Sequence, residues 1–176
     1  MDYLLRDDAP FSQEEWDKID EQVVKIASQQ LIARRVLQLY GPLGAGVQSI
    51  NVDTLNFEEK GETDLFGDSE ASEIAVEKRK IVAIPMIYKD LSIPWRDVET
   101  SNQMGLPLDL TPVAAAAAAC ARQEDSLIFN GSAAFDLPGL LNVEGRQVIE
   151  KQDWSKGENP FNDVAKGIEK LLAKGI

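Results

Sequence analysis

The feature that most constrains the fold is a pair of β-branched stretches around a polar middle. Ile50–Phe57 (INVDTLNF) and Ile81–Ile93 (IVAIPMIYKDLSI) flank Glu58–Glu70, which is acidic and contains glycine. This pattern is typical of strands joined by a solvated tip, and it predicts a long hairpin over Ile50–Ile93. If each arm has roughly 20 residues at about 3.3 Å per residue, the hairpin reaches on the order of 65 Å, whereas a compact domain of this length is only about 40 Å across.

A hairpin of that length cannot fold back onto its own body. A bare two-stranded ribbon is only marginally stable in water, and its unpaired edges are templates for another chain. Pro85 and Pro94 suit edge or bulge positions better than the middle of a sheet. We therefore expect the hairpin edges to pair with a neighbouring subunit.

A long first helix is predicted from Ser12 to the Gly41–Pro42 pair. Ser12 and Glu15 have the spacing of a capping box, in which a hydroxyl and a carboxylate cap each other's backbone amides. Phe11 and Trp16 flank that box as a hydrophobic staple. Apolar residues then recur at three-four spacing, which indicates one continuous buried stripe up to the glycine and proline.

A second helix is predicted after a turn over residues 101–110. Thr111 is a natural N-cap and Pro112 suits the first helical position. Ala114–Ala119 follow, and alanine combines the highest helix propensity with a side chain small enough for close approach. The Asn130–Gly131 pair predicts a left-handed stop.

The C-terminal part predicts one further helix. Gly131 and Gly139 bracket a loop, and Pro160–Lys174 carries apolar residues at three-four spacing before Gly175. Together with the hairpin, these helices predict an α+β fold. The 44% hydrophobic content predicts a substantial buried core.

Composition removes several classes of function. A formal net charge of −12 repels phosphate backbones, so we expect no nucleic-acid partner. Cys120 is the single cysteine, which excludes an internal disulfide framework, and no apolar run suits a signal peptide or a membrane helix. We therefore expect a cytoplasmic protein. The chain has no histidine, the commonest general base and metal ligand, so an enzyme is disfavoured.

No catalytic, metal or cofactor site is predicted from the remaining candidates. The acidic tip Glu58–Glu73 lacks the spacing of a calcium loop and is interpreted as solvated. Cys120 is interpreted as a small core residue, and Gly41–Gly46 as a linker because it lacks the lysine and hydroxyl of a phosphate loop. Tyr88 and Trp95 are interpreted as packing residues rather than as a stacking site for a planar ligand.

Two segments resemble the encapsulins, which are bacterial and archaeal shell proteins with the fold of tailed-phage major capsid proteins, once described as linocin-type bacteriocins. Tyr3–Asp20 (YLLRDDAPFSQEEWDKID) is similar to the opening pattern of that family. Glu124–Gly131 (EDSLIFNG), with Gly139–Leu140 downstream, is similar to its E-D-x-x-I-F-x-G segment. The resemblance covers essentially the whole chain.

The resemblance implies a tailed-phage major-capsid-like fold of the α+β class. Its parts would be an N-terminal helical arm (1–49), an extended hairpin loop (50–95) and a peripheral domain (96–176) with the alanine helix as its spine. In the family the chain continues beyond a helix like Pro160–Lys174 into an axial domain. We therefore expect an N-terminal portion with an incomplete peripheral domain and no axial domain, for which a complementary C-terminal chain is a candidate partner.

The resemblance also implies a structural, non-enzymatic function. Identical subunits would close into an icosahedral cytoplasmic nanocompartment, and a peptide tail of a cargo enzyme would dock against the first helix. Cargo in the family includes ferritin-like proteins, which would mean iron storage, and dye-decolourising peroxidases. The resemblance places Leu31 at an apolar contact, Arg34 at a basic position near the docking groove and Gln38 where the family has an acidic residue. A flavin site is known in some members, and Trp95 is not assigned to it.

Two alternatives stay open. One is a bacteriocin-like protease, for which the sequence offers no histidine and no paired nucleophile. The other is a phage-derived capsid protein without cargo, which the sequence hardly separates from a compartment. A ferritin-like or peroxidase gene beside this one would favour the compartment.

Overall fold

The computed structural model describes residues 4–56, 63–66 and 73–175. Its contacts divide the chain into two units, Met1–Glu124 and Asp125–Ile176, which are considered separately. The described residues form helices and small antiparallel sheets, in agreement with the predicted α+β class. In that part of the chain, no helix is long and apolar enough to cross a membrane.

The first long helix, α1, spans Gln13–Gln30 and begins as predicted. The Ser12 hydroxyl accepts a hydrogen bond from the Glu15 amide at 3.3 Å, and the Glu15 carboxylate accepts one from the Ser12 amide at 2.7 Å. Phe11 and Trp16 pack edge to face with ring centroids 5.3 Å apart. The predicted capping box and staple are confirmed.

The predicted continuation of this helix to Gly41 is wrong. Leu31 has an extended backbone (φ −65°, ψ 117°) and terminates α1, and the next helix, α2, is one turn over Ala33–Val36. Residues 37–48 contain no helix or strand. The apolar spacing continues through the break, so periodicity alone could not reveal it.

A hairpin lies within the predicted region but its paired part is shorter. Strand β1 (Ser49–Leu55) pairs antiparallel with β2 (Val76–Ala83), with Ser49 opposite Ala83. Seven or eight paired residues reach about 25 Å, so the expected strands of roughly 20 residues are wrong. Ile84–Ile93 has no strand, and most of the acidic tip lies outside the described residues.

Helix α3, over Trp95–Met104, was not predicted. It replaces the first four residues of the expected turn over 101–110 and ends at Gly105, which has a left-handed φ of 63°. Val98 is the buried side chain of this helix, so there is no apolar periodicity from which to infer it.

The alanine-rich helix, α4, spans Thr111–Asn130. Thr111 is its first residue rather than the predicted N-cap. The carboxylate of Asp109 accepts hydrogen bonds from the Thr111 hydroxyl at 2.6 Å and the Thr111 amide at 2.9 Å, and these bonds lower the pKa of Asp109. Asp109 therefore supplies an acceptor at the start of the helix, as short polar side chains do in Asx turns.

The end of α4 is closed by the loop that the two glycines bracket. Gly131 has a left-handed φ of 71°, as predicted, and β3 (Gly131–Ser132) pairs with β4 (Leu137–Pro138). The loop then returns its donors to the last carbonyls of α4. Leu140 and Leu141 donate backbone N–H groups, and Asn142 donates its side-chain amide, at 2.8–2.9 Å to the carbonyls of Ile128, Phe129 and Asn130, respectively. Carbonyl groups that a helix end would leave unpaired are thereby satisfied.

The last helix, α5, spans Asn159–Leu172, close to the predicted bounds. Asp163 anchors the preceding segment to it. Its carboxylate accepts hydrogen bonds from the Gln152 amide at 2.8 Å and from the Trp154 indole N–H at 2.9 Å. Both bonds favour the ionised carboxylate and so lower the pKa of Asp163. The bond from the Gln152 amide has the larger effect.

The predicted substantial core is small among the described residues. The buried apolar side chains there are Ile19, Ala33, Val98, Val113 and Ala121. All five lie in the first unit, and two of them are alanines. Many larger apolar side chains are at the surface, so this chain leaves apolar area available for contacts beyond those it makes with itself.

Candidate functional site

The break between α1 and α2 contains no glycine or proline and is stabilised by side-chain hydrogen bonds. The guanidinium of Arg35 donates hydrogen bonds at 3.0 Å to the carbonyls of Ser28 and Gln29 at the end of α1. A cation at a helix C-terminus satisfies unpaired carbonyls and interacts favourably with the negative end of the helix dipole. Arg35 therefore links α2 back to the last turn of α1.

A second arginine joins α2 to α4. The Arg34 guanidinium donates two hydrogen bonds to the carboxylate of Glu124, at 2.5 Å from Nε and 2.9 Å from Nη2. The pair is 90 residues apart in sequence, and both members lie in the first unit. Glu124 is only 24% exposed, so the pair is partly shielded from water. A two-point contact of this kind fixes orientation as well as distance.

The surface around this turn is apolar. We call residues 31–40 the α2 surface. Ala33 is fully buried and faces inward, whereas most of the larger apolar side chains are exposed. The exposed fractions are 56% for Ile32, 70% for Val36, 37% for Leu37, 61% for Leu39 and 82% for Tyr40. A contiguous run of exposed apolar side chains indicates a contact surface.

The residues predicted to bind a partner all fall on the α2 surface, but not on one helix. Leu31 terminates α1 and is half-buried, Arg34 lies on α2, and Gln38 is exposed beyond the end of α2. The first helix was expected to carry all three. No spacing within residues 12–40 indicates that Glu124 is the partner of Arg34, since the two are brought together by tertiary structure.

The hairpin offers a second exposed surface. Almost every residue of β1 and β2 is exposed, on both faces of the sheet. Asp53 and Arg79 lie opposite each other and form a two-point ion pair with both distances at 2.7 Å. Hydrogen bonding to Arg79 lowers the pKa of the Asp53 carboxyl. The two strands therefore contact each other and little else in the described part of the chain.

The described residues contain no group of three or more histidine, cysteine, aspartate or glutamate side chains that could hold a metal ion. Cys120 is half-buried on α4 rather than a fully enclosed core residue. Tyr88 and Trp95 are 73% and 70% exposed, so their interpretation as packing residues within this chain is wrong. Apolar and aromatic surface, rather than a cluster of reactive groups, is the dominant feature of the described chain.

Comparison with known proteins identifies the family. A family model described as encapsulating protein for peroxidase matches residues 1–176, the whole chain. The chain belongs to the encapsulin family. The resemblance inferred from the N-terminal segment and from Glu124–Gly131 is confirmed.

Three curated relatives show how far this likeness extends. The encapsulin chain is 38% identical over 174 residues to the type 1 encapsulin shell protein EncA of Myxococcus xanthus, covering 99% of the chain and 61% of the relative. It is 37% identical over 165 residues to a diheme-cytochrome-encapsulin shell fusion protein of Kuenenia stuttgartiensis, covering 94% and 45%. A type 1 encapsulin shell protein of Rhodospirillum rubrum is 28% identical over 155 residues, covering 85% and 52%.

The encapsulin chain thus spans between about half and three-fifths of the length of these relatives. Their names describe shell proteins, and one of them is a shell protein fused to a diheme cytochrome. In this encapsulin chain the two exposed surfaces, on the hairpin and around α2, are the places where contacts with other molecules are to be sought.

Proposed function

We propose that the chain is the structural part of a shell subunit that assembles with copies of itself around cargo. Family membership supports this proposal, as do relatives named as shell proteins. The cytoplasm is the proposed compartment, consistent with a single cysteine and hence no internal disulfide framework. The role is proposed to be structural rather than enzymatic.

The exposure of the hairpin is the main structural support for the assembly proposal. A two-stranded sheet with both faces in water is marginal by itself, and its outer edges are unpaired within the described chain. Apolar side chains on it are largely exposed, with Val76 at 51% and Ile81 at 69%. Contact with neighbouring subunits would cover these side chains and pair the strand edges, which is the arrangement expected of a shell protein with an extended loop.

We further propose the tailed-phage major-capsid-like fold for the complete protein. The hairpin over 50–95 would be the extended loop, residues 1–49 the helical arm, and residues 96–176 part of the peripheral domain. The close bracing of the α4 C-terminus by the Gly131–Asn142 loop supports a rigid spine helix in that domain.

Assembly is tested by placing a charge on the hairpin of the complete protein. Ile81→Asp should leave the subunit folded, as judged by circular dichroism, and prevent closed particles in negative-stain microscopy and native mass spectrometry. Glu77→Gln on the same strand is the matched control and should still give particles. Wild-type protein that stays monomeric or dimeric at micromolar concentration would refute the proposal, and particles from the Ile81→Asp variant would show that assembly does not use this surface.

We propose that a peptide tail of the cargo docks on the α2 surface, in contact with Leu31, Arg34 and Gln38. The exposed apolar run there supports this assignment. The family description supports a peroxidase as one class of cargo, and a ferritin-like protein is a second candidate class. Covering the exposed half of one side chain such as Ile32 contributes about 1 kcal/mol, so retention would depend on many sites facing one interior.

Docking is tested with an exposed apolar residue on each side of the helix break. Ile32→Asp should empty particles of the complete protein without dissolving them. Val24→Asp changes a residue that is 63% exposed on α1, outside the α2 surface, and should retain cargo. Leu31→Asp is expected to behave as Ile32→Asp. Cargo retained at the wild-type ratio in the Ile32→Asp particles would place the docking site elsewhere.

A further inference from the structure

The single turn α2 is too short to be stable by itself. Its four residues, Ala33–Val36, are far fewer than the 12–15 or so that an isolated helix needs in water. Backbone hydrogen bonds across the turn run from Arg35 N to Ile32 O and from Leu37 N to Ala33 O, each at 3.0 Å. Side-chain contacts must therefore fix its position and its conformation.

Those contacts come from three consecutive residues. Ala33 is fully buried, Arg34 is paired with Glu124 on α4, and Arg35 is bonded to the end of α1. The Arg35 contacts join α2 only to the helix that precedes it in the chain. Within the described residues, the Arg34–Glu124 pair is a polar contact that joins α2 to a distant helix.

This arrangement changes what Arg34 can contribute to the α2 surface. Its Nε and one Nη point at Glu124, and Arg35 is engaged with main-chain carbonyls. The exposed apolar side chains of the turn include Ile32 and Val36. A partner reaching these apolar side chains meets them at positions that depend on the orientation of α2.

We propose that Glu124 is a positioning residue for the α2 surface: through Arg34 it holds α2 on α4 and so sets the geometry of the apolar side chains that receive the cargo tail. Arg34 then acts as a tie between two helices and not as the group that reads a charge on the cargo. This inference rests on the proposed docking function and adds to it the residue on which the geometry of the site depends.

The test uses the complete protein with three changes. Glu124→Gln removes the charge and keeps the shape, Arg34→Gln removes the other member, and Arg34→Glu combined with Glu124→Arg reverses the pair. Arg122→Gln, an exposed charge on the same helix, is the matched control. Two quantities are measured: hydrogen exchange at the amides of Arg35 and Leu37, and the mass of copurifying cargo per shell subunit in particles isolated from the native host.

Each single change should speed exchange at the two amides about two- to five-fold, the range expected for loss of a partly exposed ion pair. Cargo retention should fall in the same variants. The reversed pair should restore both quantities, because a tie between helices works with either polarity. The control variant should change neither quantity.

Three results would overturn the proposal. Unchanged exchange in the Glu124→Gln variant would show that the pair does not hold α2. Restored exchange without restored cargo in the reversed pair would show that Arg34 recognises a charge on the cargo. Wild-type particles without cargo would refute docking on α2 and with it the positioning role, whereas the exchange data would still report on the tie between α2 and α4.

Discussion

The close approach of Gly131 to Gly139 allows a sharp test of how the end of α4 is built. An alanine Cβ at Gly131 would collide with main-chain atoms of Leu137, Pro138 and Gly139. A Cβ at Gly139 would collide with main-chain atoms of the α4 terminus and of Gly131. Gly145 has a left-handed φ of 79° and open space around it, which makes it a matched control in the same unit.

The three positions separate two physical effects. A left-handed conformation costs about 1–2 kcal/mol once a Cβ is present, and forcing an extra methyl group into close packing costs about 1–3 kcal/mol. Gly145→Ala carries only the free-energy cost of the left-handed conformation, and Gly139→Ala carries only the cost of the collision. Gly131→Ala combines a φ of 71° with the collision and should lose about 2–5 kcal/mol of unfolding free energy.

The double variant of Gly131 and Gly139 adds a further check. Both changes disrupt the same backbone approach, so their combined loss should be smaller than the sum of the single losses. Urea unfolding of the complete protein, followed by circular dichroism and tryptophan fluorescence, measures all four variants. If Gly131→Ala loses no more unfolding free energy than Gly145→Ala, the reasoning is refuted. Such a result would mean that the loop can move away from the added methyl group without loss of stability.

Three further predictions concern single polar contacts. Ser12→Ala should lower the unfolding free energy by about 1 kcal/mol through loss of the helix cap, measured by urea unfolding. Asp163→Asn should lower the melting temperature most near pH 7. Because the folded pKa of Asp163 is lowered, its contribution is present above its unfolded pKa and is lost as the pH falls through the folded value. The difference from wild type should therefore shrink below about pH 4. Arg79→Gln, which removes the exposed pair with Asp53, should leave the urea midpoint within error of wild type, and a clear shift would show that this pair contributes to stability.

Local chemistry explains which elements the sequence could predict. The capping box of Ser12 and Glu15 and the stop at Asn130–Gly131 depend on residues within a few positions of each other, so their spacing is visible in the chain. The hairpin follows from two β-branched stretches around a polar middle, and the last helix follows from side-chain periodicity over a single segment. Family resemblance, carried by two short motifs, identified the class of protein.

The missed features depend on contacts that spacing does not encode. The end of α1 at Leu31 is supported by Arg35 and, through Arg34, by a carboxylate 90 residues away. Helix α3 buries Val98 alone among its residues, so it has no apolar stripe to recognise. In the candidate site, Leu31, Arg34 and Gln38 were proposed from the family resemblance, whereas the contact between Arg34 and Glu124 required the tertiary structure.

Because the hairpin is exposed, its stability depends on the concentration of the surfaces that bind it. Since β1 and β2 are covered by nothing else in the described chain, folding of the remaining residues adds little to the stability of their pairing. Any surface that binds the paired strands and not the separated ones stabilises them by RT ln(1 + [L]/Kd), where [L] is the concentration of that surface. The order of this segment should therefore rise with protein concentration, and dilution should loosen the hairpin before it disturbs α1 or α4.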